Sequence, residues 1–183
     1  MSRKIGIAFA VLAALALTIS TVGASSVHLK GGKNAEPSFT DLGLALNATG
    51  ALSGLGNGDI LVNLVAAANV TSTCTNPAGA TQPPGQNPAP ITVSGGQAIP
   101  ASEVKNGTVN FNVTTVAPAS TIAGAPDCPN PQWTEAITDL AFTSAVITIQ
   151  QPPGTTVLTV SCTFSTPTSN GAVPGGNVSC SSS

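Results

Sequence analysis

DILVNLVAAANVTSTCT, running from Asp59 to Thr75, alternates along its whole length. Ile60, Val62, Leu64, Ala66, Ala68, Val70 and Cys74 fall on one face, and Asp59, Asn63, Asn69, Thr71 and Thr73 on the other. Successive side chains of a strand point to opposite sides, so this pattern predicts a strand with one buried and one wetted face. A helix is the rival reading around Val65–Ala68. β-Branched residues on both flanks, stiff at χ1, favour the pleat instead.

The stretches on either side repeat the theme. Gly54–Gly58 precedes the strand and contains Asn57–Gly58, a hairpin dipeptide. Before it, Phe39–Thr49 places Leu42, Leu44, Leu46 and Ala48 on one face and predicts a second half-buried strand. After it, Asn76–Pro90 holds five prolines, which cannot donate to a ladder, and reads as a loop. Ile91–Ser94 reads as a short strand, Ala101–Glu103 as one helical turn and Asn106–Gly107 as a tight turn. Thr108–Thr115 alternates, with Val109, Phe111 and Val113 inward. Val116–Gln132 is a second Pro-rich loop. Trp133–Gln150 is apolar on both faces, as a mid-sheet strand would be. Pro152–Gly154 turns the chain into Thr155–Thr166, with Leu158, Val160, Cys162 and Phe164 on one face. Six to eight strands separated by turns predict an all-β fold, an immunoglobulin-like antiparallel β-sandwich, with a jelly roll or small barrel as the alternative.

The domain limits follow. Residues 1–24 read as a signal peptide, 25–38 as a flexible lead or edge strand, 39–166 as the sandwich and 167–183 as a Gly/Ser-rich tail. Arg3 and Lys4 begin the signal, Ile5–Ile19 is an uncharged apolar run of fifteen, and Val22 and Ala24 are the small residues before a cut between Ala24 and Ser25. A membrane-spanning helix needs about 20 apolar residues, so cleavage is expected rather than anchoring. No second apolar run and no sorting tail suggest themselves, which predicts a secreted product, free or held non-covalently at the cell surface.

Removing Arg3 and Lys4 from the five cations leaves three against seven acids, a formal charge of −4. Lys30, Lys33 and Lys105 make no basic stripe, which argues against nucleic-acid and polybasic membrane partners. The four cysteines, Cys74, Cys128, Cys162 and Cys180, lack CxxC spacing. An even number in an exported chain implies two disulfides. Alternating strand directions favour Cys74–Cys128 and Cys162–Cys180.

Catalytic chemistry is not expected. His28 is the sole histidine and sits in the lead. A retaining glycosidase needs two neighbouring carboxyls, whereas Glu135 and Asp139 are about 13 Å apart if they lie on one strand, and both read as surface residues. Lys105 has no nucleophile suited to a dyad, and Asp59 beside Asn57 is too little for calcium. No cofactor or metal site is read. Trp133, close to Cys128, reads as a core plug beside the disulfide rather than a sugar platform. Asn47, Asn69, Asn106, Asn112 and Asn177 are candidate glycosylation sites, although a chain so rich in Asn and Thr forms the tripeptide by chance.

LGNGD (Leu55–Asp59), CTNP (Cys74–Pro77), PGQNPAP (Pro84–Pro90), IPASEVKNG (Ile99–Gly107) and CPNPQW (Cys128–Trp133) resemble a group of small secreted β-sandwich proteins of actinobacteria. These motifs are turns and cysteines, so the resemblance implies export and fold and no activity. The reading that follows is a non-enzymatic structural or surface-associated protein, with self-association through its strand edges or a cell-surface partner protein. The alternative is a binding module or small inhibitor that recognises its target with loops 76–90 and 116–132.

Overall fold

Every second residue from Ile60 to Cys74 is buried, and the residues between are not. The computed structural model, which describes residues 27–32, 34–82 and 88–183, places this strand in the interior of a sheet, paired on both sides. In chain order the strands are β1 (His28–Leu29), β2 (Ser38–Asp41), β3 (Leu46–Ser53), β4 (Ile60–Thr75), β5 (Ile91–Ile99), β6 (Val109–Thr114), β7 (Thr121–Ile122), β8 (Thr134–Gln150), β9 (Thr156–Phe164), β10 (Gly171–Ala172) and β11 (Val178–Ser182). Single 3-10 turns cover Ala101–Glu103 and Gly175–Asn177.

Two antiparallel sheets form a β-sandwich. In the first, β3 is flanked by β6 on one side and by β2 and β1 on the other, and β10 pairs with β2. The second runs β11-β9-β8-β4-β5, with β7 beside the start of β8. The core between them includes Phe39, Leu46, Leu52 and Phe111 from the first sheet and Leu64, Leu140, Phe142, Ile147 and Val160 from the second. Phe39 meets Phe164 edge to face with ring centroids 5.2 Å apart, an arrangement that adds to plain burial.

The sandwich is closed along one side by direct backbone approach. A Cβ on Gly95 of β5 would overlap the Thr114 carbonyl oxygen of β6 and stand 2.8 Å from the Thr115 Cα. Only glycine permits this approach. Val116 N–H then donates to the Ser94 carbonyl at 2.8 Å, and Asn112 N–H to Gln97 Oε1 at 2.8 Å.

Several expectations need correction. Phe39–Thr49 is a hairpin, not one strand. Gly43, at φ +84°, turns the chain, Asp41 Oδ1 accepts from the Gly43 N–H at 2.8 Å, and Leu42 is 57% exposed. Gly54–Gly58 carries the chain from the first sheet to the second instead of joining paired neighbours. Of the two readings of the lead, the edge strand holds: its described residues contain β1, with Val27 and Leu29 buried. Residues 167–183 are no tail: they hold β10 and β11. The loop 116–132 contains β7. Trp133 is half-buried and stands outside the core cluster.

The two apolar faces of residues 133–150 have a different origin. β8 skips a partner at Thr138 and again at Thr143. Each bulge reverses the alternation, so the buried set runs Glu135, Ile137, then Leu140, Phe142, then Ala145, Ile147, Ile149. At both bulges the threonine hydroxyl donates to a β4 carbonyl: Thr138 to Thr71 at 3.2 Å and Thr143 to Ala67 at 3.3 Å.

Candidate functional site

β11 forms one margin of the second sheet, and its hydrogen bonds fix which way its backbone points. Ser183 and Thr159 exchange N–H to carbonyl bonds at 2.9 and 2.8 Å, and Ser165 N–H donates to the Asn177 carbonyl at 2.9 Å. With Cys180 opposite Cys162, the alternation of an antiparallel ladder gives residues 177, 179, 181 and 183 to β9. The N–H and carbonyl groups of Val178, Cys180 and Ser182 therefore point away from β9, and the Val178 N–H is taken by the Gly175 carbonyl of the preceding 3-10 turn. Glu36 meets one of them: its Oε1 accepts from the Cys180 N–H at 3.0 Å.

Beside this edge runs a groove of about 440 Å³ between β11 and residues 29 and 34–36, lined by Leu29, Ala35, Glu36, Val160, Cys180 and Ser182 among others. A space of about 380 Å³ that shares Leu29, Ala35 and Ser182 continues it. Opposite the closed Gly95 side, the sandwich thus has an open side with main-chain donors and acceptors along its rim.

The two disulfides join Cys74 to Cys128 and Cys162 to Cys180, the pairs favoured by the strand directions. The first ties the end of β4 to the 116–132 segment, and the second ties β11 to β9. Together they suit an oxidising compartment. Among the described residues no helix is long and apolar enough to cross a membrane, which says nothing of a membrane β-barrel. The expected cleavage at Ala24 and Ser25 lies outside the described residues, as does Lys33.

The carboxylates are less scattered than their sequence positions suggest. Glu135, expected at the surface, is fully buried beside the first disulfide; its Oε1 accepts from Ser72 Oγ at 2.7 Å and its Oε2 from the Asp127 N–H at 3.3 Å. Asp139 is half-buried. The Thr138 bulge turns the next stretch of β8 towards the 42–45 turn, where Leu140 N–H donates to the Gly43 carbonyl at 2.9 Å. Asp139 there faces the charge of Asp41, and its Oδ1 is buried without a hydrogen-bond partner among the described residues. Burial raises the Asp139 pKa above its ordinary 3.8, Asp41 raises it further, and the Leu140 N–H acts in the opposite sense. Asp41 itself is held by Gly43 N–H and by the Thr168 hydroxyl. Among the described residues, no group of three or more His, Cys, Asp or Glu is placed to hold a metal ion.

The remaining candidates fall apart in space. His28 is exposed on β1. Lys105 Nζ donates to the Ser102 carbonyl at 2.8 Å, and Asp59 Oδ1 accepts from the Ala101 N–H at 2.9 Å. Among the sequons, Asn69, Asn106 and Asn112 are exposed. Asn47 Nδ2, by contrast, donates to Asn112 Oδ1 at 2.6 Å and Thr114 Oγ1 at 2.8 Å, and Asn177 Oδ1 accepts from Ser165 Oγ at 3.3 Å.

No family model, curated protein or solved structure matches this chain.

Proposed function

We propose that this is an exported, non-enzymatic structural domain that holds its place at the cell surface or in the surrounding matrix by non-covalent contact along the open margin of its second sheet. The outward backbone of β11 carries the reading. A row of outward backbone groups beside an open groove, with the Ser182 N–H and the carbonyls turned out, is a template for pairing with another chain. The signal-like residues 1–24 and the two disulfides agree with work outside the cytoplasm.

Fractionation of the producing cells tests it. Ser182→Pro removes an outward N–H that the β9 ladder does not use, a position where an edge strand tolerates proline. The wild-type protein is expected in the envelope or matrix fraction, released by urea without bond cleavage, and the variant is expected in the medium. Wild-type protein found wholly in the medium, or a variant retained like wild type, would overturn the reading.

A second reading is favoured by the Cys74–Cys128 bond, which ties the chain just before residues 76–82 to the 116–132 segment and supports a recognition surface there. Shortening 76–82 should then abolish partner binding at an unchanged melting temperature. Binding that survives the shortening counts against it.

A further inference from the structure

We infer that the open side of the sandwich receives an extended polypeptide strand added to β11, carrying a Lys or Arg opposite Cys180 with small apolar side chains on either side. This rests on the proposed role of the β11 margin and names its partner.

The backbone supplies the first argument. Cys180 and Ser182 turn their N–H and carbonyl groups outward, and Val178 its carbonyl, at every second residue, the repeat with which an added strand presents its own; the Val178 N–H is already bonded to the Gly175 carbonyl. Exposed edges are commonly blunted by proline, by charge within the strand or by a bulge. The β11 sequence, Val-Ser-Cys-Ser-Ser, has no proline and no charge. Its obstructions come from outside: the Gly175 carbonyl of the preceding 3-10 turn on the Val178 N–H, and the Glu36 carboxylate on the Cys180 N–H.

The groove supplies the second. Cys180 and Ser182 line it together with Leu29, Ala35 and Val160. Paired residues of neighbouring strands present side chains to the same face. The residue opposite Ser182 therefore enters a space floored by small and aliphatic groups, the residue opposite Val178 meets a valine partly buried against the core, and the residue opposite Cys180 enters beside Glu36.

Charge selects the partner. An incoming strand takes over the Cys180 N–H and displaces Glu36, whose carboxylate is left at the rim of a domain with a formal charge of −4 once residues 1–24 are gone. A cation at that position restores its bonding, and an acid repels it. The same argument disfavours a second copy of this chain. Two β11 edges paired about a two-fold axis near Cys180 would bring both Glu36 carboxylates together.

The test uses the oxidised chain from Ser25 onward and synthetic peptides of alternating Val and Thr. One peptide has a central Lys on the Val face, and its match has Glu there. The Lys peptide is expected to protect the Cys180 and Ser182 amides from hydrogen exchange, and to bind about tenfold more tightly than the Glu peptide. Glu36→Gln should make the two peptides bind alike. Ser182→Pro should weaken the Lys peptide while the Ser179 and Ser181 amides keep their protection. The inference is overturned by absence of protection with either peptide, by equal binding of both to the wild type, or by protection that appears on concentrating the protein alone, which would make a second copy the occupant. Any of these, with envelope retention still sensitive to Ser182→Pro, removes the named partner and leaves the margin as the contact surface. Retention insensitive to Ser182→Pro removes both.

Discussion

Gln151 and Gly56, 95 positions apart, bind each other twice: Gly56 N–H donates to Gln151 Oε1 at 2.8 Å, and Gln151 Nε2 donates to the Gly56 carbonyl at 2.9 Å. A third bond runs from Nε2 to the Gly58 carbonyl at 2.9 Å. One side chain at the end of β8 thereby holds the 54–58 crossing between the sheets.

Gln151→Leu leaves one donor and two acceptors of that crossing unmet. The expected loss is roughly 3 kcal/mol in urea unfolding, since an unmet group in a partly buried site costs about 1–3 kcal/mol. Gln151→Glu keeps the shape but turns a donor into an acceptor facing two carbonyls. It should be at least as damaging at neutral pH. A Leu variant as stable as wild type would show that water replaces the side chain.

Gly95→Ala should lower stability by about 1–3 kcal/mol or more, because the atoms it meets are backbone and have no rotamer to change. The companion Gly96→Ala is a control, with its nearest neighbour a side-chain oxygen of Asn63 at 3.2 Å. Thermal denaturation of the pair should separate them clearly, and equal melting temperatures would mean that β5 and β6 are free to move apart.

Asp139 gives the protein a pH dependence of defined sign. Its folded pKa is raised, so the folded chain holds this proton more tightly than the unfolded chain. The resulting contribution is fully present below the ordinary 3.8 and is lost as pH rises through the folded value. Asp139→Asn should therefore be more stable than wild type at pH near neutral, where it removes both the desolvated charge and the repulsion from Asp41, with the advantage vanishing in acid. Parallel pH–stability curves for the two proteins would contradict the assignment.

Ser72→Ala takes the hydroxyl from Glu135 Oε1 in a fully buried site. The expected cost is about 1–3 kcal/mol, and Ser72→Thr should recover part of it. Calorimetry of both variants checks this; an alanine variant matching wild type would mean that Asp127 alone satisfies the carboxylate.

Strand β4 was legible because its alternation is unbroken and its partners on both sides are long. β8 was not. Leu140 and Phe142 on one parity and Ala145, Ile147 and Ile149 on the other look like two apolar faces, and only the register against β4 reveals one face interrupted by Thr143. The β2–β3 hairpin was hidden by leucines at 42, 44 and 46 that imitate a single strand across the turn. Gly43 was the available signal. β11 escaped notice because an edge strand of serines carries almost no hydrophobic pattern, although Cys180 marked its attachment to β9. The role of Glu36 had no local signature, since the group it meets lies 144 residues away. Asp41 and Asp139 likewise meet only through the bulge at Thr138.

Thr138 and Thr143 also mark where this chain is free to change length. Each is the unpaired residue of its bulge, so deleting it restores a regular ladder and leaves every inward residue of β8 inward. An insertion or deletion elsewhere in the same strand would turn the remainder inside out. Descendants of a common ancestor are thus expected to differ by single-residue gaps within β8, where comparisons of sequence ordinarily place none.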